Sequence, residues 1–122
     1  MRALILLTLL VLAAPAQAQF IGLLKNSPAE LFDDADLHLF LDTAKQALDE
    51  GKLDEALAWQ NPKTGHKGDM TVVKRFRARG HECTLLRVRN EAQGRKSNMQ
   101  HNLCSIDGRW RLVGDLRTGE PK

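Results

Sequence analysis

Cys83 and Cys104 stand at mirror positions about the dipeptide Gln93-Gly94. If that dipeptide is the two-residue loop of a β-hairpin, Ala92 faces Arg95 and every cross-strand pair sums to 187, so Cys83 faces Cys104. Such a pair is not itself hydrogen-bonded, and its side chains approach more closely than those of the alternate pairs. That proximity suits a disulfide, two free thiols being the alternative. One pairing thus specifies a turn, a register and two strands together. A bridge closing about 22 residues contributes on the order of 3 kcal/mol in the chain-entropy model, a large share of the roughly 5–15 kcal/mol by which domains are stable.

The compartment follows from the first residues. Arg2 supplies a positive start, Ala3 to Ala14 is an apolar run, and Pro15-Ala16-Gln17-Ala18 offers the small residues a signal peptidase reads. Residues 1–18 are therefore expected to be a cleaved signal peptide, leaving a soluble chain that starts at Gln19. An uncleaved anchor is the alternative, but the run is shorter than the roughly 20 residues a spanning helix needs. No cysteine follows the cleavage site, so a lipid anchor is not expected. An even cysteine count behind an export signal points to an oxidising compartment. The expectation is a periplasmic or secreted protein, with outer-membrane association left open.

Residues 19–27 read as a flexible lead-in to a single α+β domain over 28–122. Ser27-Pro28-Ala29-Glu30 has the form of a capping box with proline at the first helical position. It predicts a long helix to Glu50, stopped by Gly51. Leu37, Phe40, Leu41, Ala44, Ala47 and Leu48 give that helix one apolar stripe. A second, short helix is expected from Lys52 to Gln60. Four β-like runs follow, at 70–79, 83–91, 96–105 and 109–116, with Asp107-Gly108 a strong two-residue hairpin signal. The architecture expected is two N-terminal helices packed on a four-stranded antiparallel meander with one cross-strand disulfide.

The two later hairpins agree in register. They place Leu86, Val88, Leu103, Trp110 and Leu112 on the core side, and the cysteines with Arg87, Arg89, Arg109 and Arg111 on the other. For the first hairpin, a three-residue loop Gly80–Glu82 pairs Arg79 with Cys83, sends Phe76 inward and puts Arg75, Arg77 and Arg79 outward. A two-residue loop is the competitor, set aside because a one-residue slip would bury arginines.

Charge is divided unevenly. Residues 19–58 carry three Lys/Arg and nine Asp/Glu, whereas residues 59–122 carry fourteen and six. An acidic helical layer therefore backs onto a basic sheet. Its outer face is either a solvated surface protected from edge pairing by charge or a docking surface for anions, since Arg forks match phosphate and carboxylate oxygens. Nucleic acid is not expected, because no aromatic residues interleave this face as a stacking platform.

No catalytic constellation stands out. His38, His66, His81 and His101 fall on a helix, a loop, a turn and a strand, without a metal-ligand spacing. His38 lies at helical spacing from Asp34 and Asp42, as for a surface ion pair. Asp33, Asp34 and Asp36 suit a helix N-terminus. Cys83 as a nucleophile near His81 competes with the disulfide. Trp59 and Trp110 read as core, each indole N–H needing a partner if buried. No enzyme activity, metal or cofactor is expected.

The segment Ala58-Trp59-Gln60-Asn61-Pro62-Lys63-Thr64-Gly65-His66-Lys67-Gly68, then Cys83, then Cys104-Ser105-Ile106-Asp107-Gly108-Arg109-Trp110, resembles the C-terminal domain of the bacterial outer-membrane 17-kilodalton surface antigen family. Trp59, Asn61, Pro62, Gly65 and Gly68 match its W-x-N-P-x-[ST]-G-x-x-G segment, and Asp107, Gly108 and Trp110 its D-G-x-W. The resemblance covers about residues 52–116 and implies a Gram-negative cell-envelope protein. Gln19 stands where members carry a lipidated cysteine, so a soluble relative is implied rather than an anchored one. The expected function is non-enzymatic docking to an anionic envelope component (lipopolysaccharide or peptidoglycan) or an acidic protein. Arg87, Arg89, Arg109 and Arg111 are the leading candidates, Arg75 and Arg77 next, with peripheral envelope association at most. The alternative is a small inhibitor or chaperone-like protein gripping a protein target through loops 61–68 and 80–82.

Overall fold

A computed structural model describes residues 27–114. The expected signal peptide, residues 19–26 of the expected lead-in and the last residues of the strand expected to end at 116 lie outside the described residues. The described chain is one helix, α1 (Asp34–Glu50), on one face of a five-stranded antiparallel sheet. Its strands, β1 (Ala56–Gln60), β2 (Lys67–Ala78), β3 (His81–Ala92), β4 (Arg95–Ile106) and β5 (Arg109–Val113), follow one another in chain order. The class is α+β, as expected, but with one helix and five strands in place of two and four.

Two differences arise at the N-terminal end. Ser27 caps only a 3₁₀ turn, Pro28–Leu31, its hydroxyl accepting from the Ala29 N–H. The helix itself starts six residues later than expected, because Asp33 and Asp36 form the reciprocal capping box. Phe32, extended between the two, turns its ring edge-on to Trp59 at 5.0 Å and packs near Phe40 at 6.0 Å. This extended residue lets the half-buried ring pack against Trp59, Phe40 and His66.

The short helix expected over 52–60 is absent. Asp54 adopts a left-handed φ of 62°, and β1 then alternates, burying Trp59, half-burying Leu57 and exposing Ala56, Ala58 and Gln60. A twelve-residue β2 offers a backbone template that a nine-residue helix between Gly51 and Pro62 cannot match. Local helix propensity loses to pairing, since propensity is a weak prior against tertiary context.

Cys83 and Cys104 pair and are bridged, with 21 residues of sequence separation. The three hairpin turns, Arg79-Gly80, Gln93-Gly94 and Asp107-Gly108, have positive φ at both residues, as a type I′ turn requires. The first hairpin is thus a two-residue loop, with Ala78 opposite His81 and Phe76 opposite Cys83, not the three-residue loop expected. The feared slip is absorbed by a β-bulge at Val73: the register steps between Val72 and Lys74. Before the bulge, Met70 and Val72 face the core; after it, Arg75 takes the core-side position and Phe76 the outer one.

The core lies between α1 and the sheet. Phe40, Ala44, Ala47 and Leu48 of the helix meet Trp59, Met70, Val72, Leu86, Val88 and Leu103, with Trp110 and Leu112 packed at the rim. The inner-face residues of β3, β4 and β5 are those the later two hairpins predict.

Candidate functional site

Two polar arrangements stand out: a buried carboxylate under the β1–β2 connection, and the sheet face that α1 leaves uncovered. Asp36 is fully buried. Its carboxylate accepts from Asn61 Nδ2 at 2.9 Å, Thr64 Oγ1 at 2.7 Å, His66 Nδ1 at 2.8 Å and the Asp33 N–H at 3.0 Å. Burial alone would raise its pKa, but the Asp33 N–H and the donors on Thr64, His66 and Asn61 outweigh it and hold the group at about 2. Asn61 also accepts from the Lys63 N–H, and the Gly65 N–H bonds back to the Asn61 carbonyl with Gly65 at φ 75°. Gly68 is pressed against β3 and Trp59: a Cβ there would lie 2.6 Å from the Arg89 carbonyl and 2.7 Å from Asn90 Oδ1 and Trp59 Nε1.

The residues behind the resemblance have local roles: Asn61 and Gly65 shape the 61–66 turn, Asn61 fastens it to Asp36 of α1, and Gly68 lets β2 lie close against β3 and Trp59. The sequence offers Asp36 only as a helix-dipole carboxylate and His66 only as a loop histidine. Thirty positions separate them, and no local spacing announces the contact. The ring of His66 is buried and stacks on Phe32.

The open face can be followed along its cross-strand rows. Gln60, Lys67, Glu91 and Lys96 form the row beside the Gln93-Gly94 turn; Ala58, Asp69, Arg89 and Asn98 form the next. Thr71, Arg87 and Gln100 follow, then Lys74, Leu85, Asn102 and Val113. Phe76, Cys83, Cys104 and Arg111 complete the disulfide row, with Ala78, His81, Ile106 and Arg109 beyond it. Both acids of this face are paired, Asp69 to Arg89 at 2.9 Å and Glu91 to Lys67 at 3.7 Å. Asp69 raises the pKa of Arg89 by hydrogen bonding and by its charge. An open concavity of about 700 Å³ lies over the first two rows.

Arg87, Arg89, Arg109 and Arg111 occupy this face as expected. Arg75 and Arg77 do not: the bulge moves them to the other side. Arg75 reaches the C-terminal end of α1, where its guanidinium donates to the carbonyls of Leu48 (2.9 Å), Ala47 (3.2 Å) and Gly51 (2.8 Å), and to Thr84 Oγ1 (3.1 Å). The slip does not bury a charge; it supplies the cation that the last turn of α1 lacks. Arg77 donates to the Gly80 carbonyl and lies 4.0 Å from Glu82.

Asp107 and Gly108 form the last turn, and Trp110 Nε1 donates to Asp49 Oδ1 at 2.9 Å, tying β5 to α1. His38 pairs with Asp42 at 3.2 Å on the surface. The disulfide leaves Cys83 no thiol for nucleophilic chemistry. Among the described residues, no cluster of three or more His, Cys, Asp or Glu could hold a metal ion, and no helix is long and apolar enough to cross a membrane.

Compared with models of known protein families, with curated proteins and with solved structures, the chain matches none.

Proposed function

We propose that this is a non-enzymatic, exported cell-envelope protein, periplasmic or secreted, that docks peripherally on an anionic component through the open sheet face. The observation that carries this reading is the charge of that face. Among the described residues, Lys67, Lys74, Arg87, Arg89, Lys96, Arg109 and Arg111 share it with only Asp69 and Glu91, and both acids already hold a cation. The excess positive charge is therefore free to meet a partner, and three of its members are arginines whose forks take two oxygens of a phosphate or carboxylate at once. The acidic α1 lies on the opposite face, so the molecule has one side that attracts polyanions and one that repels them.

Export is supported by the leader-like residues 1–18 and by the disulfide. The resemblance to the 17-kilodalton surface antigen family supports a place in a Gram-negative envelope. The competing grip through loops 61–68 and 80–82 has less to stand on. The 61–66 turn is fastened to Asp36, while His81 and Glu82 belong to β3.

Co-sedimentation of the mature protein with peptidoglycan and with lipopolysaccharide, at low and at physiological salt, tests this. Binding that falls steeply as salt screens the face supports the proposal. Absence of binding at both salts contradicts it, and a salt-resistant complex with a protein target favours the competing grip.

A further inference from the structure

The open face is not uniformly charged. Its half beside the Gln93-Gly94 turn holds both acids, each in an ion pair. Its other half has an apolar centre: the buried Cys83–Cys104 bridge and Ala78, with Phe76, Ile106 and Val113 packed on them and half-exposed. This small cluster is separate from the main core, and no described element lies above it. Around it stand Lys74, Arg87, Arg109 and Arg111, none with an acidic partner among the described residues. Lys74 lies 5.4 Å from the centre of the Phe76 ring, so one cation is already held against the apolar centre.

An apolar centre inside a ring of unpaired cations is complementary to one kind of surface: apolar chains beneath a layer of phosphates. A polysaccharide or an acidic protein loop would use the cations but leave the centre in water. We infer that the disulfide half of this face docks on a bilayer containing anionic phospholipid. Phe76, Ile106 and Val113 enter the headgroup layer, and Arg87, Arg109 and Arg111 take the phosphates. Binding at such an interface scales with the apolar area buried plus the attraction to anionic lipid. The inference rests on the proposed docking face and names its target.

The probe is sedimentation of the mature protein with phosphatidylglycerol vesicles and with phosphatidylcholine vesicles, beside peptidoglycan as the lipid-free polyanion. Phosphatidylglycerol vesicles should bind far more tightly than phosphatidylcholine. A measurable part of that binding should survive about 1 M salt, where the Debye length is only about 3 Å. Arg109→Ser and Arg111→Ser should each weaken binding at low salt about fivefold. Ile106→Ser should instead remove the salt-resistant part. Thermal melts and thiol titration would confirm that each variant is folded with its disulfide closed. Binding to peptidoglycan without binding to vesicles would overturn the lipid inference and leave the anionic docking face standing. Vesicle binding indifferent to lipid charge, or unchanged in both the arginine and Ile106 variants, would also overturn it. No binding to any of the three would overturn both.

Discussion

His66 Nδ1 donates to Asp36 Oδ2 at 2.8 Å, and this contact joins the β1–β2 connection to the first turn of α1 across thirty positions of sequence. Asn61 and Thr64 donate to the other carboxylate oxygen, so one buried anion organises the whole turn. Removing it leaves four donors without this partner: the side chains of Asn61, Thr64 and His66 and the Asp33 N–H. Asp36→Ala should cost about 3–5 kcal/mol, measured by urea unfolding. Thr64→Val, which removes one donor to Asp36 and the acceptor of the His66 N–H, should cost about 1–2 kcal/mol.

Acid should destabilise the protein in two steps with separate owners. His101, on the inner face of β4, has its pKa lowered by burial, and its Nε2 has no hydrogen-bond partner among the described residues. The unfolded chain therefore binds its proton first, and stability begins to fall as pH drops through about 6.5. Asp36 is also lowered, from 3.8 to about 2. Its contribution is complete above the unfolded value and is lost as pH falls from about 4 towards 2. Unfolding free energy measured from pH 8 to pH 2 should show both slopes, and His101→Leu should abolish only the first.

Arg75 should matter for stability rather than docking. It donates to three carbonyls at the end of α1 from an otherwise exposed position. Arg75→Met, which keeps the length of the stem, should cost about 1–2 kcal/mol. Arg87→Ser on the outer face should stay within about 0.5 kcal/mol. Paired thermal melts distinguish the two roles.

The disulfide should be both stabilising and inert. Replacing both cysteines by alanine should cost about 3 kcal/mol, and the native, unreduced protein should take up no alkylating reagent. Labelling of Cys83 without reduction would contradict the bridge.

The legible parts of this fold were those with a local signal. Gln93-Gly94 and Asp107-Gly108 announce type I′ turns, and once they are placed the mirror cysteines and the faces of β3, β4 and β5 follow by counting. The illegible parts depended on distant partners. Lys52 to Gln60 has helix-compatible composition, and only the template of β2 makes it a strand. Val73 is an ordinary valine in a β-rich run, and nothing near it signals the bulge that returns Met70 and Val72 to the core and carries Arg75 to the helix end. The four arginines of β3 and β5 fall on the expected face because their strands adjoin the two clearly signalled turns, β3 running into Gln93-Gly94 and β5 leaving Asp107-Gly108. Arg75 and Arg77 depart from expectation because their strand enters the Arg79-Gly80 turn, whose length the sequence leaves ambiguous. The Asp36 network was invisible for the same reason: its donors come from a turn whose position depends on β1 being a strand.

The central claim is that the open face carries docking. The most direct test compares the mature protein with a variant in which Arg87, Arg89, Arg109 and Arg111 are all replaced by serine, in sedimentation with envelope fractions at low and physiological salt. The account predicts that the parent binds at low salt and that most of this binding is lost as salt rises. The variant should keep the melting temperature nearly unchanged and lose binding. Retained binding by a folded variant would contradict it.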